Sequence, residues 1–123
     1  SLLIQPSKTL RDFYSIIFPS AKIAFDCDSL IPSPVKMAQG LNFLSECDLS
    51  GQIGRIKIPA IVIAGSDDVI VSAALSEKLA TLIPGCKFRK IKNAGHGIPF
   101  THTNEIKLFI QEFIRDGNIF RQG

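Results

Sequence analysis

The chain has 123 residues, 46% of them apolar and 20% charged, with a net charge of +3. That length suits one domain, and the composition is neither that of a disordered chain nor that of a membrane-spanning one. No apolar run approaches the roughly 18 residues of a membrane span, and Ser1-Leu2-Leu3-Ile4-Gln5-Pro6 lacks the basic and apolar regions of a signal peptide.

Residues 1 to about 50 read as helices and loops with no strand. Thr9 is placed to cap a helix, with Asp12 three positions on as its capping-box partner. Leu10, Phe13, Tyr14 and Ile17 then share one helical face. Pro19 and the stretch from Asp26 to Pro34 interrupt that pattern. Ser33-Pro34 is a second start signal, serine at the N-cap and proline in the first turn. Met37, Ala38, Leu41 and Leu44 follow at helical spacing, and Gly51 and Gly54 mark a linker.

Beyond residue 50 the pattern is more regular. Ile58-Pro59-Ala60-Ile61-Val62-Ile63-Ala64 is apolar without alternation, which predicts a parallel strand covered on both faces. The turn Ser66-Asp67-Asp68 follows. Ser72 caps a predicted helix whose inner face is Leu75, Leu79, Leu82 and Ile83, stopped by Pro84-Gly85. Cys86 to Lys92 reads as a second strand with imperfect alternation. Asn93-Ala94-Gly95-His96-Gly97 is a turn. The last helix carries Ile106, Phe109, Ile110, Phe113 and Ile114 on one stripe and ends at Gly117. The order strand, helix, strand, helix implies a parallel crossover unit.

Two polar turns therefore stand at the C-terminal ends of two strands, the edge of an open α/β sheet where ligands bind. If the strands are neighbours, Asp68 and His96 emerge together. A carboxylate beside an imidazole sets its tautomer and leaves one ring nitrogen free as a general base. Capping of the next helix is the structural alternative for Asp68, and Asp67 is a rival acid that more readily faces solvent. Ile70, Ile98 and Phe100 flank these turns as candidate substrate-binding residues or as core. The cluster Lys87-Phe88-Arg89-Lys90-Ile91-Lys92 suits a solvated edge strand better than a nucleic-acid site.

Metal and redox chemistry find little support. Cys27, Cys47 and Cys86 are odd in number and widely spaced, so neither a disulfide framework nor a zinc site follows; reduced, mostly buried thiols in a cytoplasmic protein are expected. Asp26 and Asp28 lack a third ligand. His96 and His102 lack helical metal-binding spacing, and His102 falls near the start of the last helix. No Gly-x-Gly-x-x-Gly or P-loop favours a nucleotide. No cofactor is implied.

Gly65-Ser66-Asp67-Asp68-Val69-Ile70-Val71 resembles the acid turn of the α/β-hydrolases, and Asn93-Ala94-Gly95-His96 resembles their histidine turn. Ile83-Pro84-Gly85-Cys86 and the final amphipathic helix match as well. The resemblance spans about residues 48 to 114 and is closest to small carboxylesterases such as the pimeloyl-carrier-protein methyl ester esterases of biotin synthesis. It implies a C-terminal βαβα portion of an α/β-hydrolase parallel sheet at 51–123, preceded by a helical lid segment and return linker at 1–50. It implies Asp68 and His96 as acid and base of a Ser-Asp-His triad acting on a small-molecule or acyl-carrier ester. Ser72 stands where the family often has proline. No Gly-x-Ser-x-Gly elbow occurs in the chain, so the serine is expected upstream of Ser1 and the chain alone is expected to be inactive. A truncated module serving as a binding or assembly partner, joined to the missing portion or to itself, is the non-enzymatic alternative.

Overall fold

A computed structural model describes residues 1–18, 29 and 33–117. They divide into two units, Ser1–Leu49 and Ser50–Gly123. The expectations about Pro19, Asp26, Cys27 and Asp28 fall outside the described residues; of the other two cysteines, expected to be mostly buried, Cys47 is exposed at the end of a helix and Cys86 is half-buried.

The first unit contains α1 (Pro6–Ile17) and α2 (Pro34–Glu46). Helix α1 begins earlier than expected. Pro6 opens it after Gln5, because a ring that fixes φ and lacks an amide suits the first turn. Thr9 is therefore not a cap: inside the helix, its hydroxyl donates to the Gln5 carbonyl at 2.9 Å, and Asp12 pairs with Lys8. Ser33 does cap α2, accepting from the Lys36 amide at 3.3 Å. Leu10 and Phe13 of α1 and Met37, Leu41 and Leu44 of α2 line an apolar cavity of about 370 Å³. Tyr14 stacks on Phe18.

The second unit opens with the short helix α3 (Ser50–Ile53), where the glycines had suggested a linker. Two parallel strands follow, β1 (Ile61–Gly65) and β2 (Lys87–Ile91), joined through α4 (Ala73–Leu82). Strand β1 begins after Pro59, which has no amide to give a ladder. The register pairs Ile63 with Arg89 and Gly65 with Ile91. Paired residues of parallel strands share a face, so Ile61, Ile63, Lys87, Arg89 and Ile91 lie on one side. That side carries α6 (Thr103–Gly117), whose Ile106 and Phe109 pack with Ile63 against buried Ile91, Ala94 and Ile98. The Arg89 guanidinium lies over the Phe109 ring at 5.9 Å, and Lys87 reaches Asp116 at 3.4 Å. The basic residues at 87 and 89 thus extend the cover of α6, which explains the imperfect alternation of the strand. Ile91, 1% exposed, is the largest fully buried side chain among the described residues; burial of such a side chain stabilises by about 1.5–3 kcal/mol.

Helix α4 packs along β1. Ser72 caps it, accepting from the Leu75 amide at 3.3 Å. The inner face is not the leucine stripe. Leu75 is 60% exposed, and Leu79 and Leu82 are exposed too, whereas Ala80 and Ile83 are buried and Ala73 and Ser76 half-buried. The less exposed side of α4 thus carries the small side chains of Ala73, Ser76 and Ala80. Gly85, with φ of 69°, ends the segment in the left-handed region. Among the described residues, no helix is long and apolar enough to cross a membrane.

Candidate active site

Because β1 and β2 are parallel and adjacent, the turns after them leave from the same edge. The ladder continues past the strands: the Ser66 amide donates to the Ile91 carbonyl at 2.8 Å and the Asp67 amide to the Ala94 carbonyl at 2.9 Å. This approach needs glycine at 65. A Cβ there would lie 2.1 Å from the Ala94 oxygen and 2.7 Å from the Gly95 oxygen, both backbone atoms. The Ser66 hydroxyl accepts from the Asn93 amide at 2.9 Å and donates to Asp67 Oδ1 at 2.7 Å.

Asp68 sits where the acid turn closes on itself. Its Oδ1 accepts from the Ile70 amide at 2.8 Å and from the Val71 amide at 2.9 Å. Its Oδ2 lies 2.9 Å from His96 Nδ1. The Asp68 side chain is 7% exposed and that of His96 38%. Burial raises the Asp68 pKa, but the Val71 amide, the His96 hydrogen bond and the Ile70 amide outweigh it, with a smaller contribution from His96 charge. The carboxyl is held below the usual aspartate value. An ionised carboxylate only accepts hydrogen bonds. Nδ1 of His96 is therefore the protonated nitrogen, and in the neutral ring Nε2 is an acceptor. Such a ring takes a proton at Nε2 while its new charge is stabilised through Nδ1.

Asp67, the rival acid, is exposed and bound to Ser66 rather than to His96. His102 Nδ1 contacts the Thr101 hydroxyl at 2.8 Å, just ahead of α6. Among the described residues no group of three His, Cys, Asp or Glu side chains is placed to hold a metal.

A cavity of about 370 Å³ adjoins the pair, with Asp68, Val71, Ser76, His96, Ile98 and Ile106 among its walls. Of the three apolar residues singled out in the sequence, Ile98 lines it. It lies in the short helix α5 (Ile98–Thr101) and is buried. Ile70 and Phe100 do not line it. Ile70 serves Asp68 through its backbone amide, and its side chain is exposed; Phe100 is 79% exposed. The sequence reading missed Val71 and Ser76, which face the cavity, and the bridging role of Ser66. The apolar run after Asp68 signalled the first of these; nothing local signalled the others.

No protein-family profile matches the chain. A pimeloyl-[acyl-carrier protein] methyl ester esterase of Legionella pneumophila (strain Corby) is 31% identical over 110 residues, 89% of this chain and 45% of that protein. A thermophilic esterase from Thermogutta terrifontis is 26% identical, with a TM-score of 0.57 over 62% of this chain and 28% of that one. The bromoperoxidase of Bacillus anthracis superposes with a TM-score of 0.80 at 19% identity, over 93% of this chain and 45% of that one. The chain belongs to the α/β-hydrolase superfamily. It is similar in sequence to the methyl ester esterases within it and corresponds to part of the α/β-hydrolase fold. The chain spans less than half the length of the curated relatives it matches.

Proposed function

We propose that this α/β-hydrolase chain supplies the acid and the base of a Ser-Asp-His triad that cleaves carboxylic esters. The observation that carries the reading is the 2.9 Å contact between Asp68 Oδ2 and His96 Nδ1, made by the two turns at one sheet edge. Nε2 of His96 takes the proton of a serine hydroxyl as that oxygen attacks the ester carbonyl. The imidazolium, paired with Asp68, then gives the proton to the leaving alcohol. Water repeats the sequence on the acyl-enzyme. The nucleophile and the oxyanion-hole amides belong to residues outside this chain, since it has no Gly-x-Ser-x-Gly elbow, and the chain by itself is inactive. Residues 1 to about 50 are the helical lid segment of such an enzyme and residues 51–123 its C-terminal core portion. Ile98, beside the pair, contributes to the acyl wall; Ile70 and Phe100 are weaker candidates because they stand off the cavity. The finer reading is an acyl-carrier methyl ester of the kind in the relatives' names, hydrolysed in the cytoplasm.

The test joins this chain to the upstream segment of its reading frame and compares the parent with His96→Ala on a short p-nitrophenyl ester. Loss of activity by roughly 10⁴-fold or more is expected for a triad base. Serine-dependent hydrolysis that survives His96→Ala would remove His96 from the mechanism.

A second reading, an assembly module without its own chemistry, is favoured by the exposed Leu75, Leu79 and Leu82 of α4. On that reading the isolated chain self-associates or binds the upstream portion. A compact, monodisperse monomer in sedimentation counts against it.

A further inference from the structure

We propose that Ser66 is a positioning residue for the Asp68–His96 pair, its hydroxyl joining the acid turn to the histidine turn. The inference rests on the reading of that pair as acid and base. Ser66 precedes Asp68 by two residues, and Asn93 precedes His96 by three. The Ser66 hydroxyl accepts from the Asn93 amide at 2.9 Å, across 27 positions of sequence. The same oxygen donates to Asp67 Oδ1 at 2.7 Å, which directs its proton away and a lone pair toward Asn93.

The neighbouring cross-links, from the Ser66 amide to the Ile91 carbonyl and from the Asp67 amide to the Ala94 carbonyl, are backbone bonds that any residue except proline makes. The hydroxyl bond is the one that depends on the side chain at 66. It also acts at the residue where the chain turns. Asn93 has φ of 55°, in the left-handed region, which asparagine adopts more readily than most residues with a Cβ and whose remaining cost its surroundings offset. The reversal at Asn93 sets the direction in which Ala94, Gly95 and then His96 leave the strand. A group at 66 must both accept from Asn93 and donate to Asp67. Serine and threonine do both, while alanine and valine do neither.

The test uses the ¹⁵N-labelled chain and reads two signals: the His96 ring nitrogens, which report the Nδ1–H tautomer, and the exchange rate of the Asn93 amide. Ser66→Ala is expected to speed Asn93 exchange by roughly two- to tenfold, the worth of one net hydrogen bond. It is also expected to reduce the share of His96 in the Nδ1–H form. Ser66→Thr is expected to restore both signals, and its isostere Ser66→Val to restore neither, with the Ile91 methyl resonances showing a retained core. An unchanged ring spectrum in Ser66→Ala or Ser66→Val overturns the proposal. So does a folded Ser66→Thr beside unfolded alanine and valine variants, because the hydroxyl would then hold the fold rather than the pair. Asp68→Asn separates the two readings. If it leaves the ring spectrum unchanged, the pairing of Asp68 with His96 itself fails. If it changes that spectrum while Ser66→Ala does not, only the role of Ser66 fails.

Discussion

Replacing Gly65 by alanine places a methyl group against the backbone of the histidine turn. The added carbon would stand 2.1 Å from the Ala94 oxygen, 2.7 Å from the Ala94 carbon and 2.7 Å from the Gly95 oxygen. Even a weak C–H···O contact rests at about 3.3–3.6 Å, so the turns must part by more than about 1 Å. Three hydrogen bonds span that gap: Ser66 amide to Ile91, Asp67 amide to Ala94, and Asn93 amide to the Ser66 hydroxyl, all between 2.8 and 2.9 Å. Opened by that distance, each leaves hydrogen-bonding range. At about 1 kcal/mol net apiece, Gly65→Ala costs about 3 kcal/mol. It also separates Asp68 from His96. Urea unfolding followed by far-ultraviolet circular dichroism measures the first effect, and the His96 ring spectrum the second. Gly51→Ala is the control: nothing lies within 4 Å of a Cβ at that position, so stability should hold or rise slightly. A Gly65→Ala chain within about 0.5 kcal/mol of the parent, the range of an ordinary surface change, with the pair intact, would refute the reasoning.

Three further outcomes follow from the same geometry. The Asp68 pKa lies below the ordinary aspartate value of the unfolded chain. Its contribution to stability is therefore fully present above that value and is lost as pH falls through the lower folded pKa. Denaturation curves at several pH values between neutrality and pH 3 should show this loss, and Asp68→Asn should remove it. Ile91→Ala empties the most buried large side chain of the core and should cost about 2–5 kcal/mol in the same denaturant assay. Ser72→Ala removes a cap whose bond to Leu75 is long, at 3.3 Å; a loss near the lower end of the usual 0.5–2 kcal/mol is expected.

The parts of this molecule that were legible in sequence are those decided over a few residues. Ser33 and Ser72 cap helices because a hydroxyl at the right position meets a free amide three residues on, and local order is enough to show it. The run from Ile58 to Ala64 announced a strand covered on two faces, which forms three residues later at Ile61–Gly65, and the two polar turns followed from where the apolar runs stop. The meeting of Asp68 and His96 needed one more step, that the strands be parallel neighbours, and the short helical crossover between them made that the natural arrangement. What escaped depends on distance or on space. Thr9 has the composition of a cap, yet Pro6 had already started the helix. Leu75, Leu79 and Leu82 form the more hydrophobic stripe of α4, yet they are exposed while Ala80 on another side is buried, because which face turns inward is decided by neighbours distant in sequence. Phe100 follows the histidine turn in sequence, but one turn of α5 carries it off the cavity. The bond from Asn93 to Ser66 leaves no trace in either segment.

The saturation of Asp68 has a mechanical consequence. With two amides of its own turn gripping one oxygen and His96 engaging the other, the carboxylate cannot swivel to follow a wandering partner. The ring, 38% exposed and flanked by Gly95 and Gly97, holds to that acid through Nδ1. If the pair moves a proton as proposed, the acid is the fixed point of this edge and the imidazole the partner with fewer bonds to break.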